Sequence, residues 1–305
     1  MQRVLVTGAT GFIGRSVVEH LLLKGYEVHG LHSGQTAVDA VDAVDDGRVQ
    51  WHGLDLLVSG AVAELLGRVR PDKLLHLAWC AKPGAYWSSP DNLLWVRATL
   101  DLIEAFRANG GQGAVLAGSC AEYDWNYGHC QEGLTPLVPS SVYGRCKNAT
   151  RELAEVFAQV HGMPIAWGRI FQVYGPHEAA GRLVPSVITA LLRGEEARCS
   201  HGQQWRDFIH VQDVATALVA LLEAQVSGAF NIGSGEPVRL RRVIEYLAER
   251  LDGAERLRLG ALAAPEGDPP LLVADNRRLL ALGWRPQFDL YRGLDDAVAW
   301  WQQQA

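Results

Sequence analysis

Short apolar runs alternate with amphipathic stretches over the first 170 or so residues. Arg3 to Val6, Glu27 to Leu31, Arg48 to His52, Lys73 to Ala78, Gly113 to Ala117 and Pro164 to Ile170 read as strands. Between them, Arg15 to Lys24, Ala61 to Val69, Asn92 to Ala108 and the stretch from Tyr143 onward carry apolar residues at helical spacing. Gly25 closes the first helix and Pro71 ends the second. Regular alternation of this kind predicts an α/β fold with a doubly wound parallel sheet.

The rhythm changes after Tyr174. Helices are predicted over Arg182 to Leu192, Val211 to Ala224, Arg239 to Leu251, Asn276 to Leu282 and Leu290 to Gln302, with short strands near Ala197 to Ser200, Trp205 to His210 and Ala229 to Ile232. Residues 1–173 are thus expected to form one domain, with 210–231 returning to it. Residues 174–305 form a smaller C-terminal α/β lobe. Lys82 to Pro90 and Asp124 to Pro139 read as loops, and the Val-Asp-Ala repeat within Thr36 to Asp46 as a solvated stretch without a function.

Composition narrows the function classes. The chain has 305 residues, 48% of them hydrophobic, and a formal charge of −6 with no long basic run. A sizeable core is available, while general nucleic-acid or membrane-surface binding is disfavoured. No apolar run is long enough to span a bilayer. Cys80, Cys120, Cys130, Cys146 and Cys199 show no metal-type spacing, so no metal site is expected, and they suit a reducing cytoplasm. The chain runs from Met1-Gln2-Arg3 directly into a strand, without a signal-peptide pattern, and a cytoplasmic location is the expectation.

Candidate chemistry sits in two places. Gly8, Gly11 and Gly14 lie between the first strand and the first helix, in Thr7-Gly8-Ala9-Thr10-Gly11-Phe12-Ile13-Gly14. Glycines there let backbone amides approach a pyrophosphate at a helix N-terminus, which predicts a Rossmann-like dinucleotide site. The second strand ends Leu31-His32-Ser33 with no carboxylate to bind a ribose diol. A 2′-phosphate would meet no repulsion there, and Ser33 offers it a hydroxyl, so NADP is favoured over NAD; His32 and Ser33 also suit a plain turn. The second place is Tyr143 and Lys147, one helical turn apart. A neighbouring ammonium lowers a tyrosine pKa and fits it for proton transfer.

Taken together, the glycine turn, Leu77-Ala78, Ser119 with Tyr123, Tyr143 with Lys147, Tyr174-Gly175-Pro176, the run Arg206 to Ala215 and Phe230 to Gly235 resemble the extended short-chain dehydrogenase/reductase family, the epimerase and dehydratase branch. The runs Gly118 to Trp125 and His76 to Trp79 look most like nucleotide-sugar 4-ketoreductases. The resemblance implies a catalytic set of Ser119, Tyr143 and Lys147. It implies cofactor contacts from Gly8, Thr10, Gly11, Phe12, Ile13, His32, Ser33, Asp55, Leu56, Leu77, Ala78, Trp79, Ala117, Tyr143, Lys147 and Ile170. Asp55 would face the adenine amino group, although an N-cap or turn role also suits it. Substrate contacts are implied for Trp79, Cys120, Trp125, Gln172, Arg182, Leu183 and Arg206, with Arg206 toward a phosphate.

Dehydratases of this branch carry Asp-Glu after the catalytic Ser or Thr. Cys120-Ala121 stands there instead and cannot perform an elimination. Glu122 reads as a surface or N-cap residue, Cys120 as a pocket-lining thiol and His76 as a core histidine. Gln172 stands where many relatives have asparagine, and Glu266 where many have a basic residue. NADPH-dependent reduction of a 4-keto sugar nucleotide is favoured over an NAD-dependent 4-epimerase, and both over a non-catalytic dinucleotide sensor. By the same resemblance a homodimer is expected, through the helix after Asn92 and the one bearing Tyr143.

Overall fold

The computed structural model describes residues 1–33, 47–80, 84–265 and 267–304. The repeat within Thr36 to Asp46 and Glu266 therefore lie outside the described residues. In chain order the strands are β1 (Arg3–Thr7), β2 (Glu27–His32), β3 (Val49–Gly53), β4 (Lys73–His76), β5 (Gly113–Ser119), β6 (His129–Cys130) and β7 (Ile165–Ile170). They continue as β8 (Gln172–Tyr174), β9 (Ala197–Arg198), β10 (Trp205–His210), β11 (Gly228–Ile232), β12 (Pro237–Arg239), β13 (Leu257–Arg258) and β14 (Leu271–Ala274). The helices are α1 (Phe12–Leu23), α2 (Ala61–Val69), α3 (Asp91–Ala108), α4 (Val142–His161) and α5 (Leu183–Leu192). Then come α6 (Val211–Ala224), α7 (Leu240–Arg250), α8 (Arg277–Leu280) and α9 (Leu290–Gln302).

Among the described residues, seven parallel strands form the main sheet in the order β11-β7-β5-β4-β1-β2-β3. Helices cover both faces, so β1 is buried from Val4 onward and β4 and β7 along their whole length. On one face Val17, Val18 and Leu21 of α1 pack with Leu218 and Leu222 of α6. On the other, Leu65 and Leu66 of α2 meet Leu102, Ile103 and Phe106 of α3 and Ala154 and Ala158 of α4. α6 is apolar nearly all round, with Val214, Ala217, Leu218 and Leu221 buried, and such a helix must be covered on every side. It carries the chain back to the main sheet, where β11 adds beside β7.

The sheet order reverses at β1, which lies between β2 and β4. In open α/β sheets the crevice at the C-terminal ends of such strands is the ligand site. A second sheet is built around β10, which pairs with β12, β14 and β8, while β6 pairs with β14. Buried Asp207 ties its hub together, accepting from Ser234 Oγ at 2.7 Å and from Gly235 N and Ala274 N at 3.0 Å. Beneath this lobe Val187 and Ile188 of α5, Ile244 and Leu247 of α7, and Leu294 and Val298 of α9 form a separate core.

The loop predicted over Asp124 to Pro139 contains one short 3-10 turn at Trp125–Tyr127 and the two-residue strand β6. β6 finds its partner in β14, at a sequence distance that no local pattern reveals. The helix predicted to run to Leu282 ends at Leu280, in a turn closed by Gly283.

Candidate active site

The glycine turn after β1 has the geometry of a phosphate cradle. Gly8 adopts φ +68°, and a Cβ there would come within 2.9 Å of Ala78 N. A Cβ on Gly14 would fall 2.0 Å from Gly8 O. Side chains are thus barred by the close approach of β1, β4 and α1. Gly11 is the N-cap of α1, with no side-chain cap bond and no acidic residue in the first turn. The N-terminal amides of α1 and its dipole are left for an anion. These residues fit a dinucleotide pyrophosphate. Thr10 lies in the same turn, its carbonyl held by Arg15 Nε at 3.0 Å, and Phe12 and Ile13 open α1.

Around this cradle the other proposed cofactor residues line up along the strand ends. Leu77 N and Ala78 N both donate to Thr7 Oγ1 at 3.2 Å, which pins the end of β4 to β1. His76 is buried between Thr7 Oγ1 at 2.6 Å and Thr99 Oγ1 at 2.9 Å. With two amides donating to Thr7 Oγ1, its hydroxyl donates to His76 Nδ1 and Nε2–H donates to Thr99; burial pushes this imidazole down to about 3, so it stays neutral. Ala117 and Ile170 lie on β5 and β7, and buried Leu56 follows β3. Asp55 accepts from Leu57 N at 2.9 Å, a turn bond. At the end of β2, His32 Nδ1 meets Ser33 O at 3.1 Å and its ring stands edge-on to Trp51. No carboxylate occupies the end of that strand.

Ser119 closes β5, and Tyr143 sits in the first turn of α4, whose N-cap Ser141 accepts from Gly144 N at 3.0 Å. α4 can approach because position 144 is glycine: a Cβ would lie 2.2 Å from Ala121 O. Ser119 stands beside Tyr143, near enough for its hydroxyl to favour the phenolate, while its Oγ accepts from Ala121 N at 3.2 Å. Lys147, one turn on, is buried, and its Nζ donates to Ala117 O at 2.8 Å. The same ammonium lies 3.8 Å from the centre of the Trp79 ring. Trp79 is fixed in turn by Nε1 donating to Asn92 Oδ1 at 2.8 Å and by stacking on Trp95. Trp79 thus covers the lysine.

The electrostatics differ from the expectation that Lys147 lowers the tyrosine pKa. Burial raises Tyr143 strongly; the neighbouring Ser119 hydroxyl opposes this, while Tyr86, Glu122 and Cys120 reinforce it. Lys147 is itself pushed down to about 7 by burial, with Glu122 pulling the other way. Desolvation therefore dominates at both groups, raising the tyrosine and lowering the lysine. A tyrosine that holds its proton suits the donor role in a reduction.

Glu122 also departs from its sequence reading. It completes a capping box with Ser119, as an N-cap role requires, but it is fully buried. Its Oε1 accepts from Ser119 N at 2.7 Å and Trp167 Nε1 at 2.9 Å, and its Oε2 from Arg169 Nε at 2.7 Å. Arg169 Nη1 donates to Tyr123 OH at 3.1 Å, and Tyr123 OH donates to Asn231 Oδ1 at 2.7 Å. The carboxylate beside Ser119 is thus consumed by an ion pair with Arg169.

Tyr86 and Trp87 bring an unanticipated aromatic wall. Tyr86 meets the Tyr143 ring edge-on at 4.9 Å, and Trp87 does so at 5.7 Å. Trp87 also meets Trp125, whose Nε1 donates to Cys120 O at 2.9 Å. Fully buried Asn92 holds this loop by donating to Tyr86 O and Ser89 O, both at 2.8 Å. The density of aromatics around Pro90 was the available signal. Cys120 is buried and its thiol is pushed up to about 12, so it is neither an acid nor a nucleophile at neutral pH.

On the lobe side, Arg182 is the N-cap residue of α5 and its charge bears on Tyr86; Leu183 begins the helix. Gln172 lies on β8 opposite Phe208. Arg206 is buried and already paired with Asp268, and its Nη1 donates to Trp205 O at 2.7 Å. Among the described residues no cluster of potential metal ligands occurs, and no helix is long and apolar enough to cross a membrane.

A family model described as the NAD dependent epimerase/dehydratase family matches residues 4–233. UDP-glucuronic acid decarboxylase 1 of Xenopus tropicalis is 28% identical over 320 residues, covering 99% of this chain and 73% of that protein. CDP-abequose synthase of Salmonella typhimurium is 26% identical over 310 residues, covering 97% of each. The solved structure of Thermus thermophilus UDP-glucose 4-epimerase, a complex with NAD, aligns with a TM-score of 0.87 at 28% identity over 100% of both chains.

Proposed function

Because the chain belongs to the NAD dependent epimerase/dehydratase family, whose relatives here are nucleotide-sugar enzymes, we propose that it reduces the keto group of a nucleotide-linked 4-keto-6-deoxy sugar with NADPH. The observation that carries this reading is the turn after β5. It sets Ser119 beside Tyr143 and buries its one carboxylate, Glu122, against Arg169. That arrangement supports proton donation to a ketone and supplies no acid/base pair for elimination.

Bound NADPH supplies the hydride. Gly8, Thr10, Gly11, Phe12 and Ile13 would hold its pyrophosphate, and Asp55 and Leu56 the adenine. Leu77, Ala78, Ala117 and Ile170 would line its inner half, with Lys147 under Trp79 on the ribose. His32 and Ser33 would receive the 2′-phosphate. Ser119 bonds the ketone oxygen and orients it, and Tyr143 gives that oxygen its proton. Trp125 and Cys120 line the sugar side, while Gln172, Arg182, Leu183 and Arg206 flank the nucleotide.

NADPH absorbance should fall when the protein meets a panel of nucleotide-linked 4-keto-6-deoxy sugars, faster than with NADH. The likeness to an epimerase solved with NAD favours a second reading, an NAD-dependent nucleotide-sugar 4-epimerase. NAD(H) retained through purification, with interconversion of hexose nucleotides and no reduction of any ketone, would replace the first reading by the second.

We further propose a homodimer through α3 and α4, which pack side by side. Leu93 and Leu94 on α3 and Leu153, Val156 and Val160 on α4 are exposed. The last three fall on one helical face, an apolar stripe with no cover in the monomer. Wild-type protein should sediment as a dimer and Val156→Glu as a monomer; a monomeric wild type would rule this surface out.

A further inference from the structure

Lys147 is buried on α4, and its ammonium makes one hydrogen bond, to Ala117 O at 2.8 Å, and no ion pair among the described residues. Few titratable groups surround it. Glu122, in the turn after β5, bears on it electrostatically but is held by Arg169. His76 of β4 is a neutral ring between two threonines. Tyr143, one turn earlier on α4, keeps its proton. The helix packed alongside, α3, brings Asn92, Trp95 and Thr99, none of them charged.

A buried ammonium with one carbonyl partner has lost more hydration than that bond replaces. The nearest aromatic face is that of Trp79, whose ring centre lies 3.8 Å from Nζ; the Trp167 ring is 5.9 Å away. An indole face carries negative potential and is the best of the aromatic rings for a cation. Trp79 is not free to turn. Its Nε1 donates to Asn92 Oδ1 at 2.8 Å, and its ring stacks on Trp95 with 28° between the planes. Asn92 is fully buried, and its amide nitrogen faces two carbonyls, Tyr86 O and Ser89 O, so its oxygen must be the acceptor for the indole.

We propose that Trp79, aimed by Asn92, is the counter-group of Lys147: its ring face, in place of a carboxylate, holds this lysine as an ammonium within the site. This role rests on the reading of Lys147 as part of the reductase site and adds two positioning residues to it. Burial pushes Lys147 down to about 7, and the ring opposes that loss of charge. A π-face suits the position, because it steadies the charge and leaves N–H donors for a ligand hydroxyl. A carboxylate in the same place would engage those donors itself.

The chain has four lysines, Lys24, Lys73, Lys82 and Lys147. Carbon-13 labelling at lysine Cε therefore gives a small set of resonances, and Lys147→Met assigns one of them in the full-length protein. In the wild type the Lys147 Hε protons should be shifted upfield by the ring current of Trp79. In Trp79→Leu that shift should vanish and the titration midpoint of Lys147 should fall by about one pH unit, the size of a desolvated cation–π contact. Trp79→Phe keeps a weaker ring and should fall between the two, which preserves the test if the leucine variant fails to fold. Asn92→Ala should weaken the upfield shift, and a full shift there would strike Asn92 from the role. A midpoint that rises in Trp79→Leu would show that the ring only excludes water, and would overturn the proposal; so would a wild-type Lys147 signal with no ring-current shift. In turnover, a group needed as an ammonium loses its charge as pH rises through its pKa, so the alkaline limb of kcat/KM should move to lower pH in Trp79→Leu by the same amount. These NMR signatures without ketone reduction by the wild type would sink the reductase reading and leave the Trp79–Lys147 contact. Ketone reduction with an unchanged Lys147 midpoint in Trp79→Leu would do the reverse.

Discussion

Tyr143→Phe is expected to lower kcat for ketone reduction by about 10²–10⁴-fold, the usual range for removing a general acid. The affinity for NADP(H) should stay within about twofold. The substitution deletes one hydroxyl, the one that Ser119 stands beside. The ring keeps its edge-on contacts with Tyr86 and Trp87, and Tyr143 N still donates to Trp87 O at 3.1 Å, so the first turn of α4 has no reason to move. Because the hydroxyl is neutral and strongly shifted upward, its loss removes a proton donor and leaves the charge balance unchanged. Single-turnover rates with a 4-keto sugar nucleotide, beside NADPH binding by fluorescence, make the measurement. Full activity would remove Tyr143 from the chemistry, and loss of cofactor affinity would make its role structural.

The second large effect lies under the site. Glu122→Ala leaves the Arg169 guanidinium, 2% exposed, without its carboxylate. Removing one partner of a buried ion pair costs about 3–5 kcal/mol, because an uncompensated charge remains. It also takes the acceptor from Ser119 N and from Trp167 Nε1. Urea unfolding should show this loss of stability, with activity reduced at temperatures where the variant is still folded. The double variant Glu122→Leu, Arg169→Met removes both charges and should recover much of the stability. Recovery of stability without recovery of rate would separate the positioning of Ser119 from the holding of the fold. A Glu122→Ala protein as stable as the wild type would show that the pair contributes nothing net.

Residues whose role is local were readable from the chain. Ala61–Val69, Val211–Ala224 and Leu290–Gln302 have the predicted ends, because apolar spacing and terminal residues define a helix within its own sequence. The glycine turn was legible for the same reason: a strand, a tight turn and a helix are consecutive. Tyr143 and Ser119 also came within reach through a recognisable arrangement.

What escaped depends on partners distant in sequence. Glu122 looked like a surface or capping residue because Arg169, 47 positions away, has no mark in the sequence that points to it. Arg206 had the look of a phosphate ligand, and its pairing with Asp268 needs the β10–β14 register to be seen. Tyr86 and Trp87 sit in a loop without periodicity, where only tertiary structure sets them on Tyr143. The polarity of the Tyr143–Lys147 pair was misjudged because desolvation is a property of the folded environment, absent from a spacing of four.

The central claim, a net ketone reduction at Tyr143, is tested most directly by the fate of the hydride. The protein is incubated with NADPH deuterated at the transferable position and the 4-keto sugar nucleotide it prefers, and the product is examined by mass and NMR. The account predicts one deuterium at C4 of the sugar for each NADP released, and none with Tyr143→Phe on the same timescale. Interconverted hexose nucleotides without net loss of reduced cofactor would contradict it and establish an epimerase.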